Sequence, residues 1–149
     1  MNKKSKILLF LLRINLGWLF FYSGITKLLN LEWTASGYLK NAKGFSNFYE
    51  WLALPQNIVW VDFLNEWGLT LIGVSLILGV FVRFSSVLGA LIMFLYYLPI
   101  LSFPYAGDHS YLVDEHIIYI FVLLLFTASK AGRYIGLDKI LHKRFRYFS

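Results

Sequence analysis

Three ionisable side chains stand inside otherwise apolar stretches of this sequence: Lys27 near the end of the first, Glu66 near the start of the second and His116 near the start of the last. A cation, a carboxylate and an imidazole held together can bind an anion, shuttle protons or hold a polar quinone head group. Glu66 is followed by sixteen uncharged residues, Trp67 to Val82. That run puts it about 25 Å from Arg83 by helix rise, close to one edge of a hydrocarbon core. Lys27, Glu66 and His116 are thus expected at similar depth on three different helices. An ionisable group inside a membrane with a partner at hand is a functional-site candidate, and these three form the candidate catalytic set.

Lys27 belongs to a stripe. Arg13, Gly17, Phe20, Gly24 and Lys27 follow one another at steps of four, three, four and three, which is one face of a helix. Glycines on that face let a neighbouring helix approach closely. Arg13 stands only about 9 Å from Ile7 by helix rise, so its side chain is expected to snorkel toward headgroups. With Arg83, Lys130 and Arg133 it makes a cytoplasmic-side basic cluster for which lipid phosphate is a sufficient partner. The fourteen Leu, Ile and Phe residues between positions 7 and 29 supply roughly 4 to 8 kcal/mol of insertion free energy, against about 2.5 to 3.5 kcal/mol for an arginine at mid-membrane.

The elements that must position these residues are membrane spans. Of 149 residues, 58% are hydrophobic and 19% aromatic, and the mean hydropathy is +0.62, far from the usual soluble domain. Four stretches near the length of a span occupy about residues 7–29, 59–82, 84–103 and 112–131. The first is too long for a signal-peptide core and lacks a cleavage site, so it reads as a span. Arg83 alone separates the second and third, which makes a tight antiparallel hairpin. Short connections in up-down order imply an all-α, single-domain four-helix bundle.

Lysine and arginine are concentrated on one side of these spans. An even number of spans with that asymmetry predicts both termini in the cytoplasm, a basic cytoplasmic tail over residues 132–149, and a multi-pass protein of the cell membrane. The net charge of +6 then faces an anionic leaflet and calls for no nucleic acid. The long connection after the first span holds Trp33, Tyr38, Phe45, Phe48, Tyr49 and Trp51. Its composition predicts one or two short interfacial helices, broken at Lys43–Gly44 and at Pro55. The third loop, "PYAGDHSYLVDEH", reads as a short acidic connection.

Cysteine is absent, which excludes disulfides, thiolate metal sites, iron–sulfur clusters and covalent haem attachment. His109, His116 and His142 do not supply an opposed pair for a membrane haem. "GLTLIG" lies within a span, away from any strand-to-helix turn. No bound metal, haem or flavin is expected, and Ser23, Ser75, Ser85 and Ser86 read as packing residues.

The segments "RINLGWLFFYSGITKL", "WTASGYLKNAKG", "NEWGLTLIGVSLILGVFVRFSS" and "DEHIIYIFVLLLFTASKAGRYIGLD" resemble the DoxX/DoxD family of small four-helix membrane proteins over nearly the whole chain. The family's polar positions fall on Arg13, Lys27, Glu66, Arg83, His116, Arg133 and Asp138. "ASGYL" and "AGRYIGLD" look closer to the DoxD branch. That resemblance implies a subunit of a thiosulfate:quinone oxidoreductase, which oxidises thiosulfate to tetrathionate, passes electrons to quinone and acts with a second subunit. On this reading thiosulfate is drawn to Lys27 and His116, with Glu66 holding Lys27. Quinone, as substrate, enters from lipid against Tyr22, Trp67, Tyr96 or Tyr97. Two other classes fit the same residues: a non-catalytic scaffold docking a respiratory or redox partner, or a second copy of the chain, and a small transporter or channel.

Overall fold

The computed structural model describes residues 2–133 and 135–138; most of the expected basic tail lies outside them. The described chain is helical except for one small hairpin. Its elements are α1 (Lys3–Leu29), α2 (Ser36–Lys40), α3 (Ser46–Leu52), α4 (Pro55–Leu78), α5 (Val82–Ile100), β1 (Leu101–Ser102), β2 (Tyr105–Ala106), α6 (Glu115–Ser129) and a 3-10 turn at Ala131–Arg133. Among the described residues α1, α4 and α5 are long and apolar enough to cross a membrane.

Local chemistry sets the boundaries. The Asn2 side chain caps α1 by accepting from Ser5 N at 2.8 Å. Proline fits the first turn of α4, where no N–H is needed, so α4 begins earlier than the expected span at 59–82. It stops at Gly79, whose φ of +70° is the left-handed conformation that closes helices. The fourth expected span, 112–131, is also shorter in the structure. Asp114 caps α6 and Lys130 ends it at φ 54°, leaving Leu112 and Val113 in the preceding loop.

In the bundle α1 lies along α4 and α5 along α6, and the α4–α5 hairpin joins the two pairs. Phe20, Leu69, Leu76, Leu123 and Phe126 are sealed in the shared core. The α1–α4 contact is backbone against backbone. A β-carbon added at Gly73 would stand 2.3 Å from Phe21 N, and one at Gly24 would stand 2.4 Å from Thr70 N. No side chain fits such gaps.

The expected interfacial segment is present as α2 and α3, parted by residues 41–45. Buried Ala35, Leu39, Tyr49, Leu52, Ala53 and Val61 form a second small core against Leu98, so the segment is a lid over one end of the bundle. It also resolves a backbone problem. Pro99, inside α5, has no N–H to offer the carbonyl of Leu95. The Tyr49 hydroxyl donates to that carbonyl at 2.8 Å, and Lys43 N donates to Pro99 O at 2.7 Å.

Gly24→Leu or Gly73→Leu should therefore separate α1 from α4 and destabilise the protein by about 1–3 kcal/mol or more. Thermal unfolding in detergent checks this, with Gly37→Ala, which meets nothing within 4 Å, expected to melt like the parent.

Candidate functional site

Lys27 sits in the last turn of α1, half-buried. Its ammonium donates to the Tyr96 hydroxyl at 3.3 Å, and lies 4.8 Å from the centre of the Trp33 ring and 5.5 Å from that of Tyr96. Two aromatic faces thereby take part of the charge that water would otherwise solvate. The Tyr96 hydroxyl in turn donates to Asn65 Oδ1 on α4, and Asn65 Nδ2 donates to Val61 O at 2.9 Å. Helix α5 thus carries the hub. Tyr38 of the lid donates to Tyr96 O at 2.7 Å and sets its ring edge-on, 6.2 Å away.

His116 meets the other side of the Tyr96 ring, edge-on at 6.1 Å. Its Nδ1 pairs with Asp114 Oδ2 at 2.5 Å. Asp114 is buried at 4% exposure because it also caps α6, taking His116 N at 3.1 Å and Ile117 N at 3.3 Å. A carboxylate on Nδ1 fixes the imidazole's orientation and tautomer, leaving Nε2 to exchange a proton. Asp114, Glu115 and His116 bring one potential metal-ligand atom each within 4.8 Å of one another. A cation there would have to displace the existing His116–Asp114 pair.

Glu66 is within electrostatic reach of Lys27, while the hydrogen bond of the Lys27 ammonium is donated to Tyr96. Of the expected aromatics, Tyr96 is central and Tyr97 backs the site from α5, its hydroxyl donating to Leu112 O at 2.5 Å. Tyr22 and Trp67 face outward, exposed, Tyr22 stacked on Trp18 at 6.4 Å and Trp67 beside Phe63 at 6.4 Å. Asn65, Trp33, Tyr38 and Asp114 join the site without having been singled out for it from sequence. Asn65 left one trace, as an amide within an apolar helix.

Arg13 lies at the opposite end and is not where snorkelling would put it. It is fully buried. One guanidinium nitrogen donates to Ala131 O at 2.9 Å, the other to Ile135 O at 2.8 Å, and the Phe10 ring lies 5.4 Å away. Gly79 and Gly136 make room, since a β-carbon on either would stand 2.8 Å from Nη1. Asp138 faces the same charge and caps α5, accepting from Phe81 N at 2.8 Å and Val82 N at 3.1 Å. Lipid phosphate is therefore not the partner of Arg13. Arg83 and Lys130 are exposed and do not share its site, and the Arg133 side chain lies outside the described residues.

The family model DoxX matches residues 8–100. The chain belongs to the DoxX family. The matched region runs from α1 to the end of α5 and so includes Arg13, Lys27, Asn65, Glu66 and Tyr96; Asp114, His116 and Asp138 follow it. Comparison with curated proteins and with solved structures gives no match. The DoxX match thus covers Lys27, Trp33, Tyr38, Asn65 and Tyr96 of the site and leaves Asp114 and His116 of α6 and its cap beyond it.

The lid over this DoxX site is held by neutral phenols. Burial, with smaller contributions from Tyr49 and Asp114, pushes the Tyr38 hydroxyl from 10.0 up to about 12, and burial does the same to Tyr49. A raised folded-state value means that the folded chain keeps these protons more tightly than the unfolded one. The lid's contribution should be complete below pH 10 and decline as pH rises toward 12, and Tyr38→Phe with Tyr49→Phe should flatten that slope in thermal melts. At the other end, Arg13→Ala takes the guanidinium donor from the buried carbonyl of Ala131 and the part-buried one of Ile135. It should destabilise the protein by about 1–3 kcal/mol, chiefly through the buried one. Arg13→Lys should recover little, since one ammonium does not reproduce the guanidinium fork; the same melts decide both.

Proposed function

We propose that this DoxX-family chain is the membrane subunit of an oxidoreductase and that quinone is reduced against Lys27, Tyr96 and His116. One observation supports the reading above the others. Hydrogen bonds join Lys27, Tyr96 and Asn65, and the Tyr96 ring is packed against a His116–Asp114 pair. Reduction of a quinone to a quinol takes up two electrons and two protons. Lys27 and Tyr96 offer N–H and O–H donors to the quinone oxygens, and His116, oriented by Asp114, resupplies a proton. Quinone reaches this end from lipid, past the exposed Trp67 and Tyr22.

The electron donor follows the DoxD-like resemblance of the sequence. Two thiosulfate ions join through a new S–S bond as tetrathionate and release two electrons, matching the two that quinone accepts. The dianion is attracted by Lys27 and protonated His116. A chain without cysteine forms no thiol adduct with it, so the reading includes a second subunit that carries the sulfur chemistry, with this end of the bundle on the outer side and both termini cytoplasmic.

The test is purification in mild detergent with whatever protein accompanies the chain, followed by an assay of thiosulfate-dependent reduction of a water-soluble quinone. Tyr96→Phe, which keeps the ring and removes the hydroxyl, and Lys27→Ala should each lower turnover by about 10²-fold, the low end for losing a proton-transfer group. Turnover indifferent to both substitutions identifies a scaffold instead. Absence of turnover with the partner present, together with ion flux blocked by Glu66→Gln in proteoliposomes, identifies a transporter.

A further inference from the structure

Helix α6 has 15 residues. At 1.5 Å per residue it covers about 22 Å of a hydrocarbon core roughly 30 Å thick. Residues 101–113, between α5 and α6 at the Lys27 end, stand where the missing length falls, and they are not helical. Lipid gives backbone groups no partner, so irregular chain tolerates such depth only when its hydrogen bonds are met internally.

Much of the backbone of this segment is paired internally. Leu101 pairs with Ala106 and Ser102 with Tyr105 in a two-stranded hairpin. Ala106 N donates to Ser110 O at 2.9 Å, Gly107 N to Ile100 O at 3.3 Å and Leu112 N to Pro104 O at 3.0 Å. The side chains point to the same surroundings. Phe103 is 81% exposed, Tyr111 65%, Tyr105 59% and Val113 55%. The Tyr105 and Tyr111 rings meet edge to face, 5.9 Å apart. Phe103 and Pro104 form the turn of the hairpin, and Asp108 and His109 lie exposed in the next turn, between Ala106 and Ser110.

We propose that the segment at residues 101–113 is immersed in the headgroup–acyl boundary of the bilayer, its rings in the lipid and its Asp108–His109 turn in water. Continuity with the membrane-length α5 on one side and the short apolar α6 on the other selects lipid as the occupant. Tyrosine suits that depth, with an apolar ring and a hydroxyl that reaches water. The hairpin completes the short fourth crossing and sets the start of α6, with His116, below the headgroups. It rests on exposure and helix length alone, independently of any quinone chemistry.

The absence of cysteine makes the test direct. Phe103→Cys, Tyr111→Cys and Asp108→Cys each place a single nitroxide on the full chain in phospholipid nanodiscs. Power saturation with oxygen, which concentrates in lipid, and with a water-soluble nickel complex then reads depth. The oxygen-to-nickel accessibility ratio should be severalfold higher at positions 103 and 111 than at 108. Equal access to nickel at all three overturns the proposal, because the hairpin then stands in water. Shielding of 103 and 111 from both reagents overturns it too, since a protein surface then covers them. Two ring positions keep the measurement decisive should one variant fail to fold.

Discussion

The distance between the α1 and α4 backbones governs the end of the bundle that carries Lys27. Hydrocarbon tails are as apolar as leucine, so helices in a membrane gain from close contact far more than from leaving lipid. Gly24 lies against Thr70 and Gly73 against Phe21 with no space for a β-carbon. That register fixes where the polar residues stand. Lys27 follows Gly24 by one turn, while Asn65 and Glu66 precede Thr70 by about the same rise. A wider spacing would leave the lysine among lipid tails, a helix away from any acceptor.

A second constraint is the carbonyl row at the end of α5. Proline at position 99 leaves Leu95 O without its helical donor, which Tyr49 of the lid replaces, and Tyr38 adds a second lid contact one residue on, at Tyr96 O. The lid is thus attached through the same turn of α5 that carries Tyr96. Capping of the membrane helix and enclosure of the Lys27 ammonium depend on one small set of hydroxyls. Polar atoms in this region are matched donor to acceptor, which is the condition under which a polar group is stable away from water.

Much of this was legible in the sequence. Hydropathy located the helices, the four-three spacing located the glycine face, and the density of tryptophan and tyrosine located the lid. Other features depend on tertiary geometry that periodicity does not carry. The rule that opposite charges pair selects Glu66 for Lys27, yet the side chain of Tyr96 is the one that reaches it. Hydropathy counts Leu112 and Val113 as helix, whereas Asp114 has the hydrogen-bonding habit that starts one. Depth alone sends Arg13 to headgroups, because its acceptors lie in a segment that no local pattern connects to it.

That last contact has a bearing on how the protein is made. The carbonyls that hold Arg13 follow it by 118 and 122 residues. At about 5–20 residues per second the ribosome needs roughly 6–24 seconds to deliver them. During that interval the guanidinium of Arg13 lacks these two carbonyls, and the N-terminus of α5 awaits Asp138. Synthesis of residues 131–138 is then the event that locks one end of the bundle, so that end closes only after the helices it joins have been made.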